Sequence, residues 1–312
     1  MDVLSEAITA MRSGRPESFL STACAPWGLR FGARDGVAFH IVLRGSCWLL
    51  PGDGDAPVAL GTGDVVLRPH GTEHGLADDP KTPLTDIVQQ TDGQWALNGE
   101  LNGTGATTRI LCGAYRLKRT REHPLLSGLP DLIHLPADIG AHPELRAAVE
   151  LLGRELERPG PGSDAILPSL LDTLLLYVMR ACLTDQAKTA SSGWAAALAD
   201  PAISTALHAI HNRPAHPWTV ETLGAKAGLS RAAFAQRFTA IVGQPPLAYL
   251  TWWRMTLAGQ ALTQSDANLR TIARRCGYAS EFTFVRAFTR EYGTSPGRYR
   301  RTHGTPETAT SS

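Results

Sequence analysis

The chain has 312 residues, enough for two domains of ordinary size, and its 43% hydrophobic and 19% charged residues exclude a disordered chain. The formal net charge of +1 hides a division. Met1–Gly193 carries 17 Lys+Arg against 23 Asp+Glu, a net of −6, while Trp194–Ser312 carries 13 against 6, a net of +7. An acidic front and a basic back predict that only the back meets a polyanion. Five cysteines, an odd number with no CxxC pair, argue against a disulfide framework and a zinc ribbon. The N-terminus lacks the basic start and apolar run of a secretory signal. The longest apolar stretch, Ile166–Leu183, carries Asp172 and Arg180, which makes it a poor membrane span. The expectation is a cytoplasmic protein with reduced thiols and no membrane partner.

Residues 24–120 read as β structure, because short apolar runs such as Phe39–Leu43, Cys47–Leu50, Val65–Leu67 and Arg109–Tyr115 alternate with Gly, Pro and Asp clusters. Such strands predict a sandwich or small barrel. Thr82–Thr108, polar and Gly-rich, reads as a long loop. The period then becomes helical over Pro143–Arg158 and again over Asp164–Leu183, with Pro159-Gly160-Pro161-Gly162 between. In the second helix Leu167, Leu170, Leu171, Leu174, Leu175 and Val178 form a stripe that either the β domain or a second copy of the chain would cover. Lys188–Gly193 is a linker by composition, and Asp200-Pro201 is a good helix start.

The basic half contains one pattern twice. Counting from Ser230, Phe234 stands at +4, Phe238 at +8, Gly243 at +13, Pro246 at +16 and Tyr249 at +19; counting from Ser280, Phe284, Phe288, Gly293, Pro296 and Tyr299 occupy the same offsets. Thr222-Leu223 lies six residues before Gly228, as Thr271-Ile272 lies six before Gly277. This is a duplicated unit, and each copy reads as helix, glycine turn, helix, with Thr219 and Ser230 as caps in the first. The phenylalanines, four apart, share a buried face. The opposite face presents Ala232, Ala233, Gln236 and Arg237 in one copy and Phe282, Thr283, Arg286 and Ala287 in the other.

A recognition helix needs small residues where the backbone approaches and a long hydrogen-bonding side chain a turn later, here Gln236 for adenine or Arg286 for guanine. The candidate DNA contacts are Arg231, Ala232, Gln236 and Arg237 in the first copy, and Glu281, Thr283, Arg286 and Arg290 in the second. Arg254, Arg270, Arg274 and Arg275 are further cations for phosphates.

The segments GLSRAAFAQRFTAIVGQPPLAYL and IARRCGYASEFTFVRAFTREYGTSPGRYR resemble the double helix-turn-helix domain of the AraC/XylS family of transcription regulators, over residues 200–301. The resemblance implies two recognition helices in adjacent major grooves. Ala232 and Ala233 are smaller than the residues many members carry there, so the first helix reads mainly through Gln236.

In the front half, Gly63–His74 (GDVVLRPHGTEH) matches the second cupin motif, G(x)5PxG(x)2H, with His74 pointing into a barrel. His40 falls where the first cupin motif runs, although the HxH and glutamate of metal-binding cupins are missing. Residues 20–120 resemble the cupin-type sensor domains of the same family. Around Cys24, Cys112 and LLSGLPDLIHL (125–135), the chain resembles a subgroup that includes a reactive-chlorine-sensing activator. That resemblance implies an oxidant-sensing Cys24/Cys112 pair, forming a disulfide or a sulfenic acid. Two other readings stay open: buried cysteines of a barrel, and a site for zinc or another transition metal on His40, His74 and one or both thiols. A small organic ligand in the barrel is a third class of signal.

The expected architecture is therefore α+β in two domains: a cupin-like sensor over 1–135, a helical pair over 136–187 that dimerises, a linker over 188–199, the all-α double helix-turn-helix over 200–301 and a disordered tail over 302–312. The expected partners are promoter DNA, a second copy of the chain, an oxidant or small-molecule effector, and RNA polymerase if the protein activates. The competing class is a metal-dependent cupin enzyme with a helical appendage, against which the missing metal ligands argue.

Overall fold

Eleven strands and eleven helices are built from residues 2–11, 16–52, 54–89, 95–97, 103–115, 124, 128–137, 142–188 and 190–303, the residues that the computed structural model describes. Two compact units result: Arg12–Glu122 with Leu126–Leu183, and Thr184–Ser312 with Met1–Met11 and His123–Leu125.

The first unit is a two-sheet β fold. One sheet has the order β1 (Glu17–Cys24), β10 (Thr107–Tyr115), β3 (Val37–Arg44), β6 (Val65–Arg68), β11 (Ile133–Leu135). The other runs β5 (Val58–Leu60), β4 (Cys47–Pro51), β7 (His74–Ala77), β2 (Gly28–Phe31), β8 (Thr85–Gln89), β9 (Trp95–Leu97). Strand β3, VAFHIVLR, is apolar on both faces because it is paired on both edges, with β10 and β6, and is covered on both sides. The core between the sheets includes Trp27, Leu29, Phe31, Val42, Leu49, Leu76, Ile110 and Cys112.

The segment 82–108 is not one long loop. Strands β8 and β9 pair antiparallel within it, and β8 extends the sheet at β2. Apolar Ile87-Val88 inside TDIVQ gives β8 its strand character, which the surrounding polar composition masks.

Helices α2 (Pro143–Glu157) and α3 (Ser163–Ala187) follow. The α3 stripe is covered within the chain: Leu171, Leu174, Leu175 and Val178 are buried, and the Tyr115 hydroxyl donates to the Leu171 carbonyl at 2.5 Å. Only its N-terminal part, from exposed Ile166 to half-buried Leu167 and Leu170, is left for another partner.

The second unit departs from the expected boundaries at both ends. Residues 193–199 are helix α4, not linker, because Trp194, Ala195 and Ala197 are buried; small polar composition stops at Gly193. At the tail, Thr302 and His303 complete the last helix, and residues 304–312 lie outside the described residues.

The unit also takes in the N-terminus. Helix α1 (Val3–Met11), with Asp2 accepting from the Ser5 N–H, buries Val3 and Ala7 against α5 (Pro201–Asn212) and α8 (Pro246–Gln264). By its contacts, then, Met1–Met11 groups with the C-terminal unit.

Candidate nucleic-acid interface and barrel core

Each copy of the duplicated unit is built by the same local devices. Helix α6 (Val220–Lys226) starts on a reciprocal cap, in which Thr219 Oγ1 accepts from the Thr222 N–H and Thr222 Oγ1 from the Thr219 N–H. Its counterpart α9 (Leu269–Arg275) is capped by Asn268. The turns need left-handed backbone at Gly228 (φ 72°) and Gly277 (φ 78°). Ser230 and Ser280 then cap α7 (Arg231–Val242) and α10 (Glu281–Tyr292) by accepting from Ala233 and Thr283 N–H groups, and Gly243 and Gly293 end those helices in the left-handed region. Phe234, Phe238, Phe284 and Phe288 are fully buried. Burying these faces leaves Arg231, Ala232, Ala233 and Gln236 exposed on α7, and Glu281, Phe282, Thr283 and Arg286 exposed on α10.

Three expected contacts change role. Arg237 is exposed but engaged: its Nε and Nη2 donate to Asp200 Oδ2 at 2.8 and 2.5 Å, while Asp200 Oδ1 caps α5 through the Ala202 and Ile203 N–H groups. Burial alone would raise the Asp200 pKa; the N–H groups of Ile203 and Ala202 and the Arg237 cation outweigh it and hold the pKa below the ordinary 3.8. Arg254 is not free for phosphate, because it donates to the Pro214 and His216 carbonyls and lies over the Tyr278 ring. Ala287 is buried in the core of the second copy rather than presented. No sequence signal marks the Arg237–Asp200 strut, whose ends are 37 residues apart.

Arg290 keeps 70% of its side chain exposed despite a long contact to Glu291. Phe282, absent from the contact set argued from sequence, is 71% exposed, and the Arg286 guanidinium sits 5.7 Å from its ring centroid. Its offset of two from the Ser280 cap, off the +4/+8 core pattern, is the signal that marks it. Arg300, at the end of the SPxxYR signature, donates to the Leu262 and Ala267 carbonyls and so fastens α11 (Pro296–His303) to the end of α8.

In the barrel, His40 and His74 converge, with Nε2 atoms 2.7 Å apart and Phe31 against both rings. Burial lowers both pKa values, His40 well below its ordinary range and His74 to about 4, so both imidazoles are neutral at pH 7. The protons can then be placed. The Thr72 carbonyl only accepts, so His74 Nδ1 carries the proton and its Nε2 accepts from His40 Nε2–H. His40 Nδ1 is left a buried acceptor without a hydrogen-bond partner among the described residues.

Of the ligand set expected for a metal, the two imidazoles come together and no third ligand joins them among the described residues, which hold no group of three or more His, Cys, Asp or Glu able to bind an ion.

The direct Cys24–Cys112 disulfide is also corrected. In the β1–β10 register Cys112 pairs with Phe19 and Cys24 with Thr107. Five positions separate the two thiols, about 17 Å along the strands, and the odd offset puts them on opposite faces. Cys112 is buried opposite His40, and burial, with Cys47 adding to it, raises its pKa well above the ordinary thiol value. Cys24 is half-buried, its Sγ 3.4 Å from Thr107 Oγ1, and the other four cysteines are buried.

Residues 2–184 match the Cupin family, and residues 223–302 match a helix-turn-helix domain family. The chain is 35% identical over 304 residues to a Streptomyces lividans protein named as an AraC-like transcription regulator, covering 96% of this chain and 98% of that one. It is 30% identical over 308 residues to the RCS-specific HTH-type transcriptional activator RclR of Escherichia coli (strain K12), covering 96% and 97%. Among solved structures, it is similar to the DNA-binding domain of the global transcriptional factor AdpA in complex with a target DNA (34% identity, 33% of this chain and 92% of that chain, TM-score 0.31).

Proposed function

Because the chain belongs to the AraC-type transcription regulators that carry a cupin domain ahead of a DNA-binding helix-turn-helix pair, we propose that it reads operator sequence with α7 and α10 in successive major grooves and that its cupin domain receives the controlling signal. Its relatives are regulators, and the enzyme alternative falls with that membership.

The observation that carries the reading is the pair of exposed faces held in one register by four buried phenylalanines. Arg286 fits guanine O6 and N7, Gln236 fits adenine, Glu281 accepts from cytosine N4, and Ala232 and Thr283 offer methyl groups to thymine. Arg231 and Arg290 are placed for phosphates. The working form is a cytoplasmic homodimer on two half-sites, recruiting RNA polymerase where it activates.

The test is selection of bound sites from a random DNA library by the full chain, repeated with Arg286→Ala. Loss of preference at one base pair supports the assignment. A uniform loss on every sequence makes Arg286 a phosphate contact and overturns it.

A second reading, oxidant reception at Cys24, is favoured by Cys24 being the cysteine that is not buried and by the reactive-chlorine name of one relative. Hypochlorite would convert the thiol to sulfenic acid with release of chloride. Peptide mass after mild hypochlorite decides it: one added oxygen on Cys24 supports direct reception, and loss of two hydrogens across Cys24 and Cys112 requires β1 to leave β10 first. An unmodified Cys24 ends the reading.

A further inference from the structure

The cupin unit carries a cleft of about 570 Å³ between the end of β3 and helix α2, apart from the histidine pair and from the DNA-reading helices. Its volume falls within the range of small-molecule sites. The floor is apolar: Val42, Leu43, Leu135, Leu145, Val149 and the open position at Gly153.

Gly153 is the informative residue. It lies inside α2, where glycine is the poorest helix former after proline. Packing does not demand it, since a Cβ there would meet only Leu43 Cδ2, at an ordinary 3.7 Å. The missing side chain keeps the cleft open.

Two arginines, Arg146 and Arg154, and two glutamates, Glu150 and Glu157, line the rim, and both glutamates are held in ion pairs. Arg146 pairs with Glu150 at 3.2 Å, and Arg109 of β10 reaches Glu157 at 3.0 Å. Arg154, on the same helix, is exposed, and among the described residues it is the lining arginine outside an ion pair, above an apolar floor.

We propose that this cleft binds an amphipathic organic monoanion, its apolar body on the floor and its carboxylate on the Arg154 guanidinium. That the anion is an effector rests on the regulator reading above; that it binds does not. The guanidinium fork matches a carboxylate, the floor takes an alkyl or aromatic body, and the two acidic rim residues, each already paired, disfavour a dianion.

The test uses the full chain without DNA and three probes of one chain length below their micelle concentrations: decanoate, decanol and decyltrimethylammonium. Calorimetric titration should show decanoate binding at least tenfold tighter than decanol, with the ammonium weakest. Arg154→Gln, an exposed change that spares the fold, should bring decanoate down to the level of decanol. Gly153→Leu should abolish binding of both. Equal affinity for decanoate and decanol overturns the anion assignment, and binding unchanged by both substitutions overturns the cleft. DNA binding is measured alongside. A protein that takes decanoate but no DNA would refute the regulator reading and leave the cleft standing.

Discussion

The two helix-turn-helix copies share their scaffold and differ in what stands on it. Both cap the second helix with serine, bury two phenylalanines four apart and end on a left-handed glycine. At +7 from the serine they diverge: the first copy has Arg237, which leaves the helix to hold Asp200, and the second has Ala287, buried in its own core. The reading faces diverge as well. Helix α7 offers two alanines and a glutamine, whereas α10 offers Glu281, Phe282, Thr283 and Arg286. Duplication therefore preserved the positions that make a helix-turn-helix and released those that face outward. Charge-assisted contacts exceed neutral ones, so on the proposed reading Arg286 should contribute more to base preference than Gln236.

That comparison can be broken at its shared part first. Phe234→Ala and Phe288→Ala should each cost about 3–5 kcal/mol in urea denaturation, as fully buried aromatics do. Hydrogen exchange should show lost protection centred on the mutated copy; equal loss in both would mean that the copies are not separable.

The turns sharpen it. Alanine at Gly228 or Gly277 costs roughly 1–2 kcal/mol for the left-handed backbone. Gly277→Ala should cost more, since its Cβ would lie 2.8 Å from the Ala215 carbonyl oxygen while Gly228 faces open space. Equal melting-temperature losses would contradict that difference.

On DNA, Arg286→Ala should lose about 1–3 kcal/mol at one base pair, and Gln236→Ala should lose less in the same binding assay. The reverse order would make the first copy the principal reader.

The smallest effect belongs to the strut. Asp200→Ala should cost about 1 kcal/mol for the helix cap, and Asp200→Asn, which keeps a capping oxygen, should cost less. The folded pKa of Asp200 is depressed, so its ionised contribution is present above the ordinary value of 3.8 and is lost as pH falls through the lower folded value. The stability gap between the wild type and Asp200→Asn should therefore close below about pH 3.8. A gap that persists at lower pH would show that charge is not its source.

The duplicated unit was legible because its signals are local: caps, glycine turns and a fixed aromatic period lie within twenty residues of one another. The two cupin-motif histidines were legible for a similar reason, since strand alternation aims both His40 and His74 inward. Strand β8, helix α4 and the docking of α1 were not. Strand β8 lies in a segment whose overall composition reads as loop, α4 is a short apolar helix directly behind a small polar linker, and α1 is stabilised by Val3 and Ala7 meeting α5 and α8 from the far end of the chain.

By itself, then, the sequence determined the fold class, the helix-turn-helix unit and which faces of its helices are buried or exposed, because helical and strand periods act over a few residues. Tertiary structure decided which cations are free. Arg237 and Arg254 look like Arg286 in composition, and only Asp200 and the Pro214 and His216 carbonyls, brought close by folding, engage their guanidinium groups within the chain. It also separated Cys24 from Cys112, because strand register puts residues on one face or the other and no local signal encodes a register between strands 83 residues apart.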